Sequence, residues 1–165
     1  MPALIDEVTA APDHDDVVDA VLAASRALVA IALRSLAAAH VDVTLPQYRA
    51  LVLLADSGER RTVDLANDLG VNSSTATRLI DRLVRGKLVR RDVHPEDRRA
   101  TRVQITDAGR AVVDAVMTER RAEVRRILRK VPAESRRAIV ESLDVLSRAA
   151  GEAPEQTWSL GWSSG

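Results

Sequence analysis

The chain has 165 residues, enough for one domain with an appended oligomerisation element and for a true hydrophobic core. It holds no Cys, no Phe, one Tyr and two Trp, so disulfides, thiolate metal sites, Cys nucleophiles and thiol redox sensing are excluded, and a small-aliphatic core of closely packed helices is favoured over a wide aromatic cavity. Lys and Arg total 24 and so do Asp and Glu, yet residues 60–105 carry eleven cations against six anions, a local surplus that a polyanionic partner could use and that a solvated surface also displays.

Residues 1–14 are acidic, contain Pro2 and Pro12, and are expected to be a flexible segment; they lack the basic start of a secretion signal. No apolar run reaches the roughly 18 residues of a membrane span, so no membrane partner and a cytoplasmic location are expected. From Asp15 to about His40 the apolar positions Val17, Val18, Val21, Leu22, Leu28, Val29, Ala32 and Leu36 recur at helical spacing. In "DVTLPQYRALVLLADSG" Thr44 reads as an N-cap, Pro46 sits in the first turn and Gly58 lies just past the end. Tyr48, Leu51, Val52 and Ala55 form its stripe, with Leu54 beside them. "RTVDLANDLGV" reads as a shorter helix capped by Thr62 and ended by Gly70, with Leu65, Ala66 and Leu69 inward.

The next stretch, "VNSSTATRLIDRLVRGKLV", divides sharply. Ala76, Leu79, Ile80 and Leu83 fall at i, i+3, i+4 and i+7, one face of a helix that Ser73 or Ser74 would cap and that ends at Gly86. The other face presents Thr75, Arg78, Asp81, Arg82 and Arg85, with Thr77 at its edge. Such a face either meets water or reads something polar. "LVRRDV" and "TRVQIT" then read as the two strands of a hairpin whose tip is the polar "HPEDRRA". Thr106 and Asp107 are placed to cap a long helix running to about Val131, and Pro132 to open a last one striped by Ile139, Leu143, Leu146 and Ala150. The tail "GEAPEQTWSLGWSSG", 151–165, reads as a flexible end.

Two short helices joined by the Gly-bearing turn "DLGVNSS" are the helix-turn-helix signature, whose second helix enters the major groove of double-stranded DNA. The division of the stretch from Ser74 to Arg85 suits that task. The helix start, with Asn72, Ser73 and Ser74, offers N–H groups and hydroxyls to phosphate oxygens. Arg78, one turn in, can give two bonds to guanine O6 and N7, worth about 1–3 kcal/mol of discrimination. Thr75 and Thr77 offer hydroxyls or methyls to base edges. Asp81 is expected to pair with Arg78 or Arg82 and orient them. Arg82, Arg85 and Lys87 either touch phosphates or shield the flank. Arg98 and Arg99 at the hairpin tip suit the narrow minor groove, with Asp97 or Glu96 bracing a guanidinium. Arg90 and Arg91 are expected to coat a strand, and Arg120, Arg121, Arg125 and Arg126 to form a solvated helix face with Glu119 and Glu123.

No metal site is expected: His14, His40 and His94 share no helical ligand spacing. No G-x-S-x-G and no P-loop argue for an enzyme, and no cofactor is implied. The rival reading is a module that uses the same surface for protein–protein interaction.

"LGVNSSTATRLIDRLVRGKLVRRDVHPEDRRATRVQITDAGR" resembles the DNA-binding core of the MarR family of bacterial transcription regulators. The family pattern D-x-R-x₅-L-T is matched at Asp97, Arg99, Ile105 and Thr106, with Ile in place of Leu. "TLPQYRALVLL" resembles the family's second helix and "TDAGR" the start of its fifth, so the likeness covers about 15–150. The resemblance implies a mainly α fold with a small β-hairpin wing. Residues 43–105 would be a winged helix-turn-helix domain, and 15–42 with 106–150 a helical region that pairs two copies into a homodimer. A pseudo-palindromic operator follows, with Asp97 supporting the wing and Arg99, joined by Arg98, in the minor groove. It further implies a repressor released by a small lipophilic or phenolic effector; the family's thiol-oxidation sensors need Cys and are excluded here.

Overall fold

Among the residues that the computed structural model describes, 12–93 and 101–152, six helices and three short strands follow in the order α1 (His14–Ala38), α2 (Leu45–Ser57), β1 (Arg60–Arg61), α3 (Thr62–Asp68), α4 (Ser73–Arg85), β2 (Val89–Val93), β3 (Thr101–Ile105), α5 (Asp107–Leu128) and α6 (Ser135–Ala149). The acidic segment 1–11, the hairpin tip 94–100 with Asp97, Arg98 and Arg99, and the tail from residue 153 lie outside the described residues.

Local chemistry sets most boundaries. Thr44 and Gln47 form a reciprocal capping box at the start of α2, Thr44 N donating to Gln47 Oε1 at 2.7 Å and Gln47 N to Thr44 Oγ1 at 3.4 Å. Thr106 Oγ1 caps α5 by accepting from Gly109 N at 3.1 Å. Three expectations are corrected. Thr62 is the first residue of α3 rather than its cap; Arg61 holds that position without a side-chain cap bond. α5 stops at Leu128, because Val131, which precedes Pro132, is disfavoured in helical backbone. Pro132–Glu134 then form a turn, and α6 begins at Ser135.

The sheet has three strands, not the two of a hairpin. β3 lies in the middle, antiparallel to both neighbours, in the order β1-β3-β2. Arg60 and Arg61 pair with Val103 and Arg102. On the other side Val89 pairs with Ile105 and Arg91 with Val103. A two-residue strand carries no readable periodicity; it exists because β3 offers it a free edge.

The core lies where α2, α3, α4, β3 and α5 meet, and Leu51, Leu54, Leu65, Ile80, Leu83, Val103, Val113 and Val116 are fully buried there. α1 packs on α5 and buries only its C-terminal half, through Ile31, Ala32, Ser35 and Leu36. The rest of α1 leaves Val17, Val18, Val21, Leu22, Leu28 and Val29 exposed. α6 buries none of its residues and exposes Val140, Leu143, Val145 and Leu146. No described helix is long and apolar enough to cross a membrane.

Candidate nucleic-acid interface

The turn between α3 and α4 is closed by Gly70 N to Asn67 O and Val71 N to Ala66 O, both 3.0 Å, with Gly70 at φ +64°. That left-handed step is why Gly stands there. α4 is capped by Asn72 rather than by Ser73 or Ser74. Asn72 Oδ1 accepts from Thr75 N at 2.9 Å and from Ser74 Oγ at 2.8 Å. Asn72 is the last extended residue, and its carbonyl accepts the first helical bond, from Ala76 N. Ser73 and Ser74 therefore sit within the first turn, where their N–H groups have no acceptor in the helix.

Ala76, Leu79, Ile80 and Leu83 bury the inner face of α4. Ser73, Ser74, Thr77, Arg78, Arg82 and Arg85 are exposed on the outer one, and Thr75 is half-buried. Thr77 Oγ1 donates to Ser73 O at 2.8 Å, leaving its methyl and lone pairs outward. Arg78 Nε donates to Ser74 O at 3.3 Å, so its two terminal nitrogens are available. The helix ends with Gly86 in ordinary helical backbone, φ −74°, and it is Lys87 that takes the left-handed conformation, φ +58°. Lys87 N bonds Val84 O and Leu88 N bonds Leu83 O, both 2.9 Å.

The basic surplus of 60–105 is sorted by the fold. Arg60 pairs with Asp68 at 2.8 Å and Arg102 with Glu59 at 2.9 Å. Arg61 grips Asp64 through two bonds of 2.8 and 2.9 Å. Those hydrogen bonds hold the Asp64 carboxyl below its ordinary range and push the Arg61 guanidinium up. Arg90 points outward, bonding Gln104 and lying 3.5 Å from Asp92. Arg91 does not coat the strand's outer side. It lies on the inner side and meets Asp81 Oδ1 at 2.6 Å. Asp81 is thus drawn to β2, and the expected pairing with Arg78 or Arg82 is not made, because Arg91 comes to it from the inner side of the sheet. Among the described residues of 60–105, Arg78, Arg82, Arg85 and Lys87 remain without a carboxylate partner, all on α4 or the turn that ends it. Sequence reasoning overlooked Arg91; the signal was its parity with Val89, two residues earlier on an alternating strand.

A groove of about 470 Å³ runs between α1 and α5, lined among others by Arg34, Ser35, Glu119, Glu123, Arg126 and Arg129. Arg126 bonds Glu123 at 2.8 and 2.9 Å, and Arg34 Nε donates to the same carboxylate at 3.1 Å. The Arg126 hydrogen bonds, then those of Arg34, hold Glu123 below its ordinary range. Arg126 is exposed as expected, but Glu123 is drawn into the groove with 17% of its side chain exposed rather than solvated, and Arg120 lies over the Tyr48 ring, 5.5 Å from its centroid. No group of three or more potential metal ligands occurs among the described residues.

Comparison with known proteins agrees with this geometry. The model of the MarR family matches residues 43–101, the span from the end of the α1–α2 connection to the start of β3. The HTH-type transcriptional regulator YfiV of Bacillus subtilis is 31% identical over 116 residues, covering 70% of this chain and 72% of that protein. The crystal structure of RV1404 from Mycobacterium tuberculosis superposes with a TM-score of 0.78 at 39% identity, over 87% of this chain and 99% of the other. The solved structure of BpsR from Bordetella bronchiseptica, whose DNA binding is regulated by 6-hydroxynicotinic acid, superposes with a TM-score of 0.60 at 27% identity, over 83% and 98% of the two chains. With its helix-turn-helix, its hairpin and its uncompensated cations on α4, the chain belongs to the MarR family and is a DNA-binding transcriptional regulator.

Proposed function

We propose that the chain is a homodimeric repressor that docks α4 of each copy in successive major grooves of a pseudo-palindromic operator. The observation that carries this is the sorting of charge: the other described basic side chains of the 60–105 lobe meet carboxylates, and the four that do not share α4 and its C-terminal turn. In this reading Asn72, Ser73 and Ser74 present the helix start to a phosphate, and Arg78 reads a base, with Thr75 and Thr77 beside it. Arg82, Arg85 and Lys87 follow the flanking backbone. Arg98 and Arg99, supported by Asp97, enter the minor groove from the tip of the hairpin. The 43–105 lobe is the DNA-binding unit, and 15–42 with 106–150 the dimerising one. Pairing is supported by α6, a helix of 15 residues that buries nothing in the single chain. A helix so short is marginal in water without a partner face, and its exposed Val and Leu side chains match those of the first half of α1. The protein works in the cytoplasm, where its DNA is.

Release by a small effector completes the proposal. The α1–α5 groove lies within the helical region, and the excess of arginines over Glu119 and Glu123 in its lining favours an acid, such as a phenolic or other aromatic carboxylate, over a neutral lipophile.

Selection of bound duplexes from a random pool tests the reading. The enriched motif is expected to be two-fold symmetric with half-sites about one helical turn apart, and affinity to fall steeply with salt. Arg78→Ala is expected to lose about 1–3 kcal/mol and to relax one base position in each half-site. No enrichment at low salt would transfer the surface to a protein partner.

A further inference from the structure

Arg91 stands where strand alternation calls for an apolar side chain. Val89 on β2 is buried, as are Ile105 and Val103, the β3 partners of Val89 and Arg91. Arg91 therefore points to the inner side, and its guanidinium crosses to α4, where Nη1 meets Asp81 Oδ1 at 2.6 Å. The Arg91 side chain keeps only 30% of its exposure, and its Nε is buried without a hydrogen-bond partner. A half-buried ion pair with an unsatisfied N–H is a poor source of stability; apolar residues of similar volume serve as well or better. What it supplies is direction. Apolar packing of α4 on β2 tolerates small rotations, whereas the Nη1–Oδ1 contact ties one point of α4 to one point of β2 and so limits them. Asp81 lies three residues beyond Arg78 on α4, and Arg91 lies on the strand that runs into residues 94–100.

We propose that Asp81 and Arg91 are positioning residues for operator recognition: their ion pair sets the angle between α4 and the hairpin, so that major-groove and minor-groove contacts are made together. The proposal rests on the docking of α4 and of the hairpin tip proposed above. It has a sign that separates it from a plain surface charge. Removing a carboxylate from a DNA-facing lobe, with no other effect, tightens binding to every duplex alike. Loosening a brace weakens the selected site and leaves arbitrary DNA as tight or tighter.

The test uses the full chain, the duplex enriched from the random pool, and a shuffled duplex of the same length and composition. For Asp81→Asn the ratio of selected to shuffled affinity is expected to fall about tenfold. Hydroxyl-radical protection of the minor groove flanking each half-site is expected to fade with it. Asp81→Leu with Arg91→Met, which replaces the pair by apolar side chains, guards against a folding artefact: its unfolding midpoint is expected to match or exceed the parent while the ratio stays low. The exchange Asp81→Arg with Arg91→Asp is expected to recover much of the ratio. An unchanged ratio in Asp81→Asn, or equal tightening on both duplexes, overturns the brace while leaving the DNA reading intact, provided Arg78→Ala run alongside still loses the selected site. If Arg78→Ala binds like the parent, the DNA reading fails and the brace with it.

Discussion

Gly109 is the third residue of α5, and helix propensity alone favours Ala there by up to about 1 kcal/mol. The packing reverses that sign. A Cβ at Gly109 would lie 2.2 Å from Leu88 O and 2.8 Å from Ile105 Cγ1. Opening the first gap to van der Waals contact takes a shift of about 1 Å. The atom in the way is a backbone carbonyl with little freedom: Leu88 O accepts from Thr106 N at 3.1 Å, while the single Thr106 hydroxyl proton is shared between Lys87 O at 2.8 Å and Leu88 O at 3.0 Å. Moving it lengthens the backbone hydrogen bond, worth about 1 kcal/mol, besides the roughly 1–3 kcal/mol of an overpacked site. Against the propensity gain, Gly109→Ala should destabilise by about 2 kcal/mol, lowering the midpoint by about 4–8 °C for a chain of this size. Urea melts at one fixed protein concentration measure it, with the slope unchanged if the native state alone is affected. Gly86→Ala is the internal control. Its backbone is helical, and its Cβ would meet nothing closer than 3.5 Å, so it should gain about 0.5–1 kcal/mol. A neutral or stabilising Gly109→Ala would refute the close approach of α5 to Leu88 and Ile105.

Asn72→Ala should cost about 1 kcal/mol through the lost cap of α4 and weaken operator binding, whereas Asn72→Asp should keep the midpoint, since a carboxylate suits a helix start, yet still weaken binding by facing phosphate; melts and binding isotherms on both variants separate the two effects. Lys87→Gly should stabilise by about 1 kcal/mol, because it relieves a left-handed side chain at φ +58°, while lowering the magnitude of the salt slope by no more than about one. Glu123 has a folded pKa below its ordinary value of 4.5, so its contribution is fully present above that pH and is lost as pH falls through the lower folded value. Urea melts over an acid series should therefore fall less steeply in Glu123→Gln than in the parent, and identical slopes would remove Arg34 and Arg126 as its stabilising partners.

Much of this fold is written in short windows. The capping box of Thr44 and Gln47, the i, i+3, i+4, i+7 stripe of α4 and the alternation of Val103 and Ile105 on β3 each depend on residues a few positions apart, since a helix or strand is built from hydrogen bonds and side-chain directions that repeat within the chain. The division of α4 into a buried and a polar face, and with it the DNA-reading candidate, was legible for that reason. What stayed hidden depends on distances between segments remote in sequence. Arg60 and Arg61 become a strand only beside β3, more than forty residues away. Asp81 lies within reach of two arginines on its own helix by sequence, and its choice of Arg91 was made by the packing of β2 against α4. Periodicity says which side of an element is apolar; which charge stands opposite which is decided when the elements dock, because an ion pair is set by a few ångströms of space rather than by spacing along the chain.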